Sequence, residues 1–238
     1  MMVGRAARIE AIRLLRDPTL AACVGIAVLP VIALVAGIPE AVPREQLADA
    51  LEGPMRMSLL ANVALLGAAF GAVRTAAAFH AGVVGRDALV LHAGPPFWTR
   101  VVATAVGAGA VGGAMWVFAL LGTSVLNGLH VFGPASLAAA VVVAAGAGVW
   151  GSAIGALVRS PLAALPIAIV SLSPAMFLST VVPDVAAVLP LSSALHAAGS
   201  PLGDSWIGRD GSAAIALLWL IVALGAAFLT YRRRSLLA

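Results

Sequence analysis

Four histidines, one cysteine, ten carboxylates and a handful of serines are the side chains here that could carry out chemistry. Their spacing argues against catalysis. His80, His92, His130 and His196 form no His-x-x-x-His pair and have no adjoining acid, so no metal-ligand set is readable. Cys23 stands alone and cannot close an intramolecular disulfide. An intramembrane serine protease needs a serine in a glycine-flanked turn with a histidine at matching depth. Gly122-Thr123-Ser124 is instead followed by Val125, and no histidine lies at that depth. A membrane phosphotransferase needs clustered aspartates beside a span, and only Asp17 and Asp87 fall on the side concerned. All 14 basic residues are arginine, which removes the phosphate loop Gly-x-x-x-x-Gly-Lys-Ser/Thr outright. The expectation is a chain with no catalytic residue, no metal and no cofactor. Any ATP it depends on must be hydrolysed by another polypeptide.

The elements that would position these side chains are six apolar runs, at about residues 19–38, 57–79, 101–126, 135–158, 162–182 and 212–231. A hydrocarbon core of about 30 Å takes roughly 20 helical residues at 1.5 Å rise each, and every run is about that long. Soluble helices carry a polar face, whereas a stretch such as 137–147 has none. The expected fold class is an all-α polytopic membrane protein, with six transmembrane helices in one permease-like domain over 1–238. The first run is long enough to span and is expected to be retained rather than cleaved.

Orientation follows from arginine. With the N-terminus in the cytoplasm, Arg5, Arg8, Arg13, Arg16, Arg86, Arg100, Arg159, Arg232, Arg233 and Arg234 lie inside, and Arg74 lies near the inner end of the second span. Only Arg44, Arg56 and Arg209 fall outside. The positive-inside rule therefore places both termini in the cytoplasm, with the chain in the plasma membrane. Arginines that flank spans are explained by topology, so no nucleic-acid partner is expected.

Residues 4–16 read as a short helix at the cytoplasmic surface, closed by Asp17-Pro18 because the residue before proline is pushed out of the α region. The outer loops are too short for a folded domain, and 183–211, with its three prolines and apolar 185–191, reads as a re-entrant or interfacial turn. The largest cytoplasmic connection is 80–100. There 86–91 can form one or two helical turns ended by Gly94-Pro95-Pro96. Arg159-Ser160-Pro161 is a minimal turn with proline suited to start the fifth helix.

Within the spans, Gly67 and Gly71, Gly109 and Gly113, and Gly151 and Gly155 form small-residue stripes expected to face protein. Pro30, Pro166 and Pro174 permit kinks. No carboxylate lies near the middle of a run, and Arg74 is expected to snorkel to the inner interface. Asn62, Ser124, Ser152, Ser171, Ser173 and Ser179 are expected to bond their own helix backbones.

The order of these parts resembles the permease subunit of a type-2 ATP-binding-cassette exporter over essentially the whole chain. Four stretches carry the likeness: the basic leading helix closing on Arg16-Asp17-Pro18; the segment from Gly85 to Pro95-Pro96-Phe97-Trp98-Thr99-Arg100; the passage through Gly155, Arg159, Pro174 and Leu189-Pro190-Leu191; and the tail Tyr231-Arg232-Arg233-Arg234. The chain departs from the family in lacking an acid over 80–85. The resemblance implies two permease subunits, identical or paired with a relative, each resting on a soluble ATPase subunit. It also implies that Arg86 and Asp87, with Arg13 and Arg16 of the leading helix, couple to that ATPase. Apolar, small-residue faces suit a lipid-accessible groove better than a hydrophilic channel, so the expected cargo is an amphipathic or lipid-like molecule such as a natural product, peptide or glycolipid. The competing readings are a non-transporting membrane anchor or sensor and a membrane enzyme acting on lipid.

Overall fold

The computed structural model describes residues 2–38, 44–83, 94–126, 128, 132–202 and 206–235. Among them there is helix and no strand, and six helical stretches are long and apolar enough to cross a membrane: Pro18–Ala36, Ala50–His80, Phe97–Val125, Pro134–Val158, Pro161–Val181 and Arg209–Arg232. The chain is thus an all-α polytopic protein.

A short leading helix, α1 (Met2–Leu15), ends before Asp17, whose side chain caps the next helix by accepting from the Thr19 N–H at 2.9 Å. The first span is two helices, α2 (Pro18–Ile26) and α3 (Val28–Ala36), hinged at Ala27. Pro30 accounts for the hinge: it has no N–H for the Ile26 carbonyl, and its ring crowds that carbonyl. The second span belongs to α4 (Arg44–His80), a 37-residue helix that begins well before the apolar run and carries Pro54 inside it.

The third span is α5 (Gly94–Leu121), closing on a π-helical turn over Gly122–Leu126. Gly94-Pro95-Pro96 starts this helix, and the helical turns expected over 86–91 lie outside the described residues. Proline is tolerated there because first-turn N–H groups have no helical partner in any case. The fourth span is α6 (Pro134–Val158). It turns through Arg159, which is left-handed at φ 63°, and an extended Ser160 into α7 (Pro161–Leu172). The fifth span breaks at Ser173, and α8 (Pro174–Val181) completes it behind a second helix-initiating proline.

The segment expected to form a re-entrant or interfacial turn holds two short helices, α9 (Pro183–Ala187) and α10 (Pro190–Ala197). It packs into the bundle: Leu191 and Leu195 are fully buried in the main core with Leu59, Leu60 and Met115. The last span is α11 (Arg209–Ser235).

Helices α4, α5 and α6 form the centre. In its most apolar stretch the second span is 61% buried against 6% for the sixth, so the outer helices turn their leucines and valines to lipid. At one end of the bundle Tyr231 of α11 packs against Phe79 of α4 and Phe97 of α5, at centroid distances of 6.1 and 5.4 Å. Trp98 stacks on Phe228, and Arg159 lies over the Phe79 ring at 5.1 Å. The leading helix α1 also packs at this end, against α5.

Candidate functional site: a buried ion cluster that ties the leading helix to the bundle

Arg74, six residues before the end of α4, does not snorkel outward. Its side chain is 8% exposed, and each of its three nitrogens has a partner. Nε donates to Asp17 Oδ2 at 3.0 Å, Nη2 to Glu10 Oε2 at 3.0 Å and Nη1 to Thr104 Oγ1 at 2.8 Å. Glu10 in turn accepts from Arg13 at 2.8 Å and faces Arg100 at 3.4 Å. Asp17 serves twice, as the cap of α2 and as a counter-ion for Arg74. The cluster thereby links α1, the α1–α2 junction, α4 and α5 through charge-assisted hydrogen bonds.

This arrangement also sets which side of α1 is buried. The helix turns Glu10 and Leu14, one helical turn apart, into the protein, and leaves Ile12 and Leu15 46% and 84% exposed. That is the orientation expected of a helix lying on an apolar medium with its charge buried against protein. Burying ions costs several kcal/mol each, so the cluster persists because every carboxylate in it is paired. The clue available in the sequence was an arginine inside an apolar run together with one acid on the preceding basic helix and another just past its end.

Of the residues expected to couple to a partner, Arg13 belongs to this cluster and Arg16 beside it is exposed. Arg86 and Asp87 lie outside the described residues. The two proposed docking elements therefore are not seen together.

The small-residue stripes are placed by the structure as follows. A Cβ on Gly67 would lie 2.6 Å from the Ala144 carbonyl oxygen, and one on Gly71 would collide with the carbonyl of Gly148. From the other side, Gly151 and Gly155 meet the carbonyls of Ala68 and Ala72. These pairs advance together along both chains, so α4 and α6 run parallel, as second and fourth spans must. Backbone contact this close needs glycine at the crossing. Gly109 and Gly113 instead meet the Val141 side chain at 3.3 and 3.7 Å, and the tight contacts of α5 lie at its neighbours. A Cβ on Gly112 would be 2.6 Å from the Ala140 oxygen, and Gly148 abuts Ala108. Gly148, which was not singled out in the sequence, is thus the point where α4, α5 and α6 converge.

The intramembrane hydroxyls mostly bond their own helices. Ser152, Ser171, Ser173 and Ser179 donate to carbonyls three or four residues back, as does the Asn62 amide. Among the described residues no group of three or more His, Cys, Asp or Glu could hold a metal ion. The buried cluster holds acids and bases already paired with one another. It is suited to transmitting force between helices and offers no free base or nucleophile. No family model, curated protein or solved structure matches this chain.

Proposed function

We propose that the chain is the transmembrane permease subunit of an ATP-binding-cassette exporter of the type-2 kind, in the plasma membrane with both termini cytoplasmic. It moves an amphipathic or lipid-like molecule outward, as one half of a permease dimer, and a separate soluble ATPase supplies the energy. The observation that supports this reading best is the buried tie from α1 to α4 and α5. A partner pressing on the leading helix cannot move it without also moving the second and third spans, because Glu10, Asp17, Arg74 and Thr104 fasten them together. Coupling of this sort needs a rigid lever whose contacts differ between two states of the partner. The arginine bias, eleven inside against three outside, supports a cytoplasmic position for that lever, the side where ATP is found.

The test is purification from the native membrane and reconstitution with any soluble ATPase that accompanies the chain. Co-purification and ATPase stimulation are expected, and both Arg86→Ala/Asp87→Ala and Glu10→Gln should reduce the stimulation while leaving the chain inserted. Turnover of a lipid by the isolated chain, with no ATPase retained, would reject the proposal in favour of a membrane enzyme.

A further inference from the structure

At the opposite end from the ion cluster, a cavity of about 840 Å³ opens between α6, α10 and α11, with α4 and the end of α7 behind it. Alanine is the commonest residue of its walls, a side chain too short to fill the space between the helices. A volume of this size is what a small-molecule site offers. One end of the cavity is lined by Arg56 and Arg209, the other by Trp150 and Trp219. Arg209 and Trp219 are ten residues apart on α11, so the two ends are separated by about 15 Å of helix.

Each end has a definite chemistry. The indoles pack edge to face at 6.0 Å, and their N–H groups are occupied elsewhere: Trp150 donates to Ser171 Oγ at 2.9 Å and Trp219 to the Val188 carbonyl at 2.8 Å. What they offer the cavity is apolar ring surface. The arginines are held by carbonyls at the C-terminal end of α10, Arg209 Nε on its last residue Ala197 at 2.8 Å and Arg56 Nη2 on the capping Ala198 at 2.9 Å. These contacts satisfy a helix C-terminus and fix both guanidinium groups at the mouth. The contacts are to neutral oxygens. Among the described residues no carboxylate lies within 4.0 Å of either arginine, Glu52 and Asp210 are exposed and do not line the cavity, and Arg56 Nε is buried without a hydrogen-bond partner. Two anchored cations above an apolar slot call for a negative head on an apolar tail.

We propose that this cavity binds a single-chain amphipathic anion, with its carboxylate or phosphate head on Arg56 and Arg209 and its hydrocarbon tail reaching Trp150 and Trp219. The site goes beyond the export reading and does not depend on it, because binding belongs to this chain alone.

The purified chain in neutral detergent, with Trp98, Trp116 and Trp206 replaced by phenylalanine, reports through Trp150 and Trp219. A tail-brominated fatty acid or lysophosphatidic acid is expected to quench them saturably at about tenfold lower concentration than the brominated alcohol of equal length. Arg56→Gln/Arg209→Gln should erase that preference and Arg56→Lys/Arg209→Lys should keep part of it. Ala216→Leu, which fills the slot and leaves both arginines, should abolish saturable quenching even if the glutamine variant fails to fold. Equal quenching by acid and alcohol, or an unaffected Ala216→Leu, would overturn the assignment. Inorganic phosphate displacing the amphiphile at the amphiphile's own concentration would also overturn it, in favour of a free-anion site.

Discussion

Replacing Arg74 by glutamine leaves the buried Glu10 and the half-buried Asp17 without their shared counter-ion. Losing one member of a buried ion pair costs about 3–5 kcal/mol, so Arg74→Gln is expected to lower the thermal unfolding midpoint in detergent sharply. Arg16→Gln, on an exposed side chain, should shift stability by no more than about 0.5 kcal/mol. A double-mutant cycle on Glu10→Gln and Arg74→Gln should be clearly non-additive, and additive losses would contradict the contact. At this scale the sequence was only partly legible. Arginine inside an apolar run reads as a snorkelling side chain, because hydropathy reports cost and not the presence of a partner. The partner lies 64 residues away on another helix. The serines were better read from local sequence, since their acceptors are their own backbone three or four residues back.

The central crossing depends on helices that can touch backbone to backbone. Gly148→Leu would drive a side chain into Ala108 of α5 and towards the carbonyls of Gly67 and Thr104, and should cost about 1–3 kcal/mol or more. Gly113→Ala, whose new methyl would meet only Val141 Cγ2 at 3.7 Å, should be neutral or stabilising by about 1 kcal/mol or less. Parallel thermal-shift measurements separate the two, and equal sensitivity would mean that α5 packs through a different face. Small-residue spacing identifies which helices can approach closely, but a stripe at 109 and 113 and one at 108 and 112 are equally regular in sequence. Only the neighbour's position selects between them. Proline was more informative, because the carbonyl it deprives belongs to its own helix. The breaks at Ala27 and Ser173 lie beside Pro30 and Pro174, whereas Pro54 and Pro166 sit inside continuous helices, so proline marks where a break is permitted and packing selects which are used.

For the whole molecule, α1 and the end of α11 lie at one end of the bundle, and Asp184 lies at the start of α9, between the fifth span and α10. In a Cys23→Ala background, single cysteines at exposed Arg8 and Arg232 should react with an impermeant maleimide from the cytoplasmic face only, and one at Asp184 from the outer face only. Labelling of Arg8→Cys and Arg232→Cys from different faces would contradict the even number of spans. The sequence by itself determined that number, because bilayer thickness sets a length every spanning helix must meet, and backbone groups in lipid must be satisfied within the segment. Tertiary structure alone decided which arginines are neutralised and which are not. Arg74 finds Glu10 and Asp17, while among the described residues Arg56 and Arg209 meet helix-end carbonyls and no carboxylate, at the mouth of an alanine-rich cavity. The physical reason is range: span length and the places where proline permits a break are set within a few turns of helix, but a charge acquires its partner, or a cavity its walls, only when distant segments become neighbours.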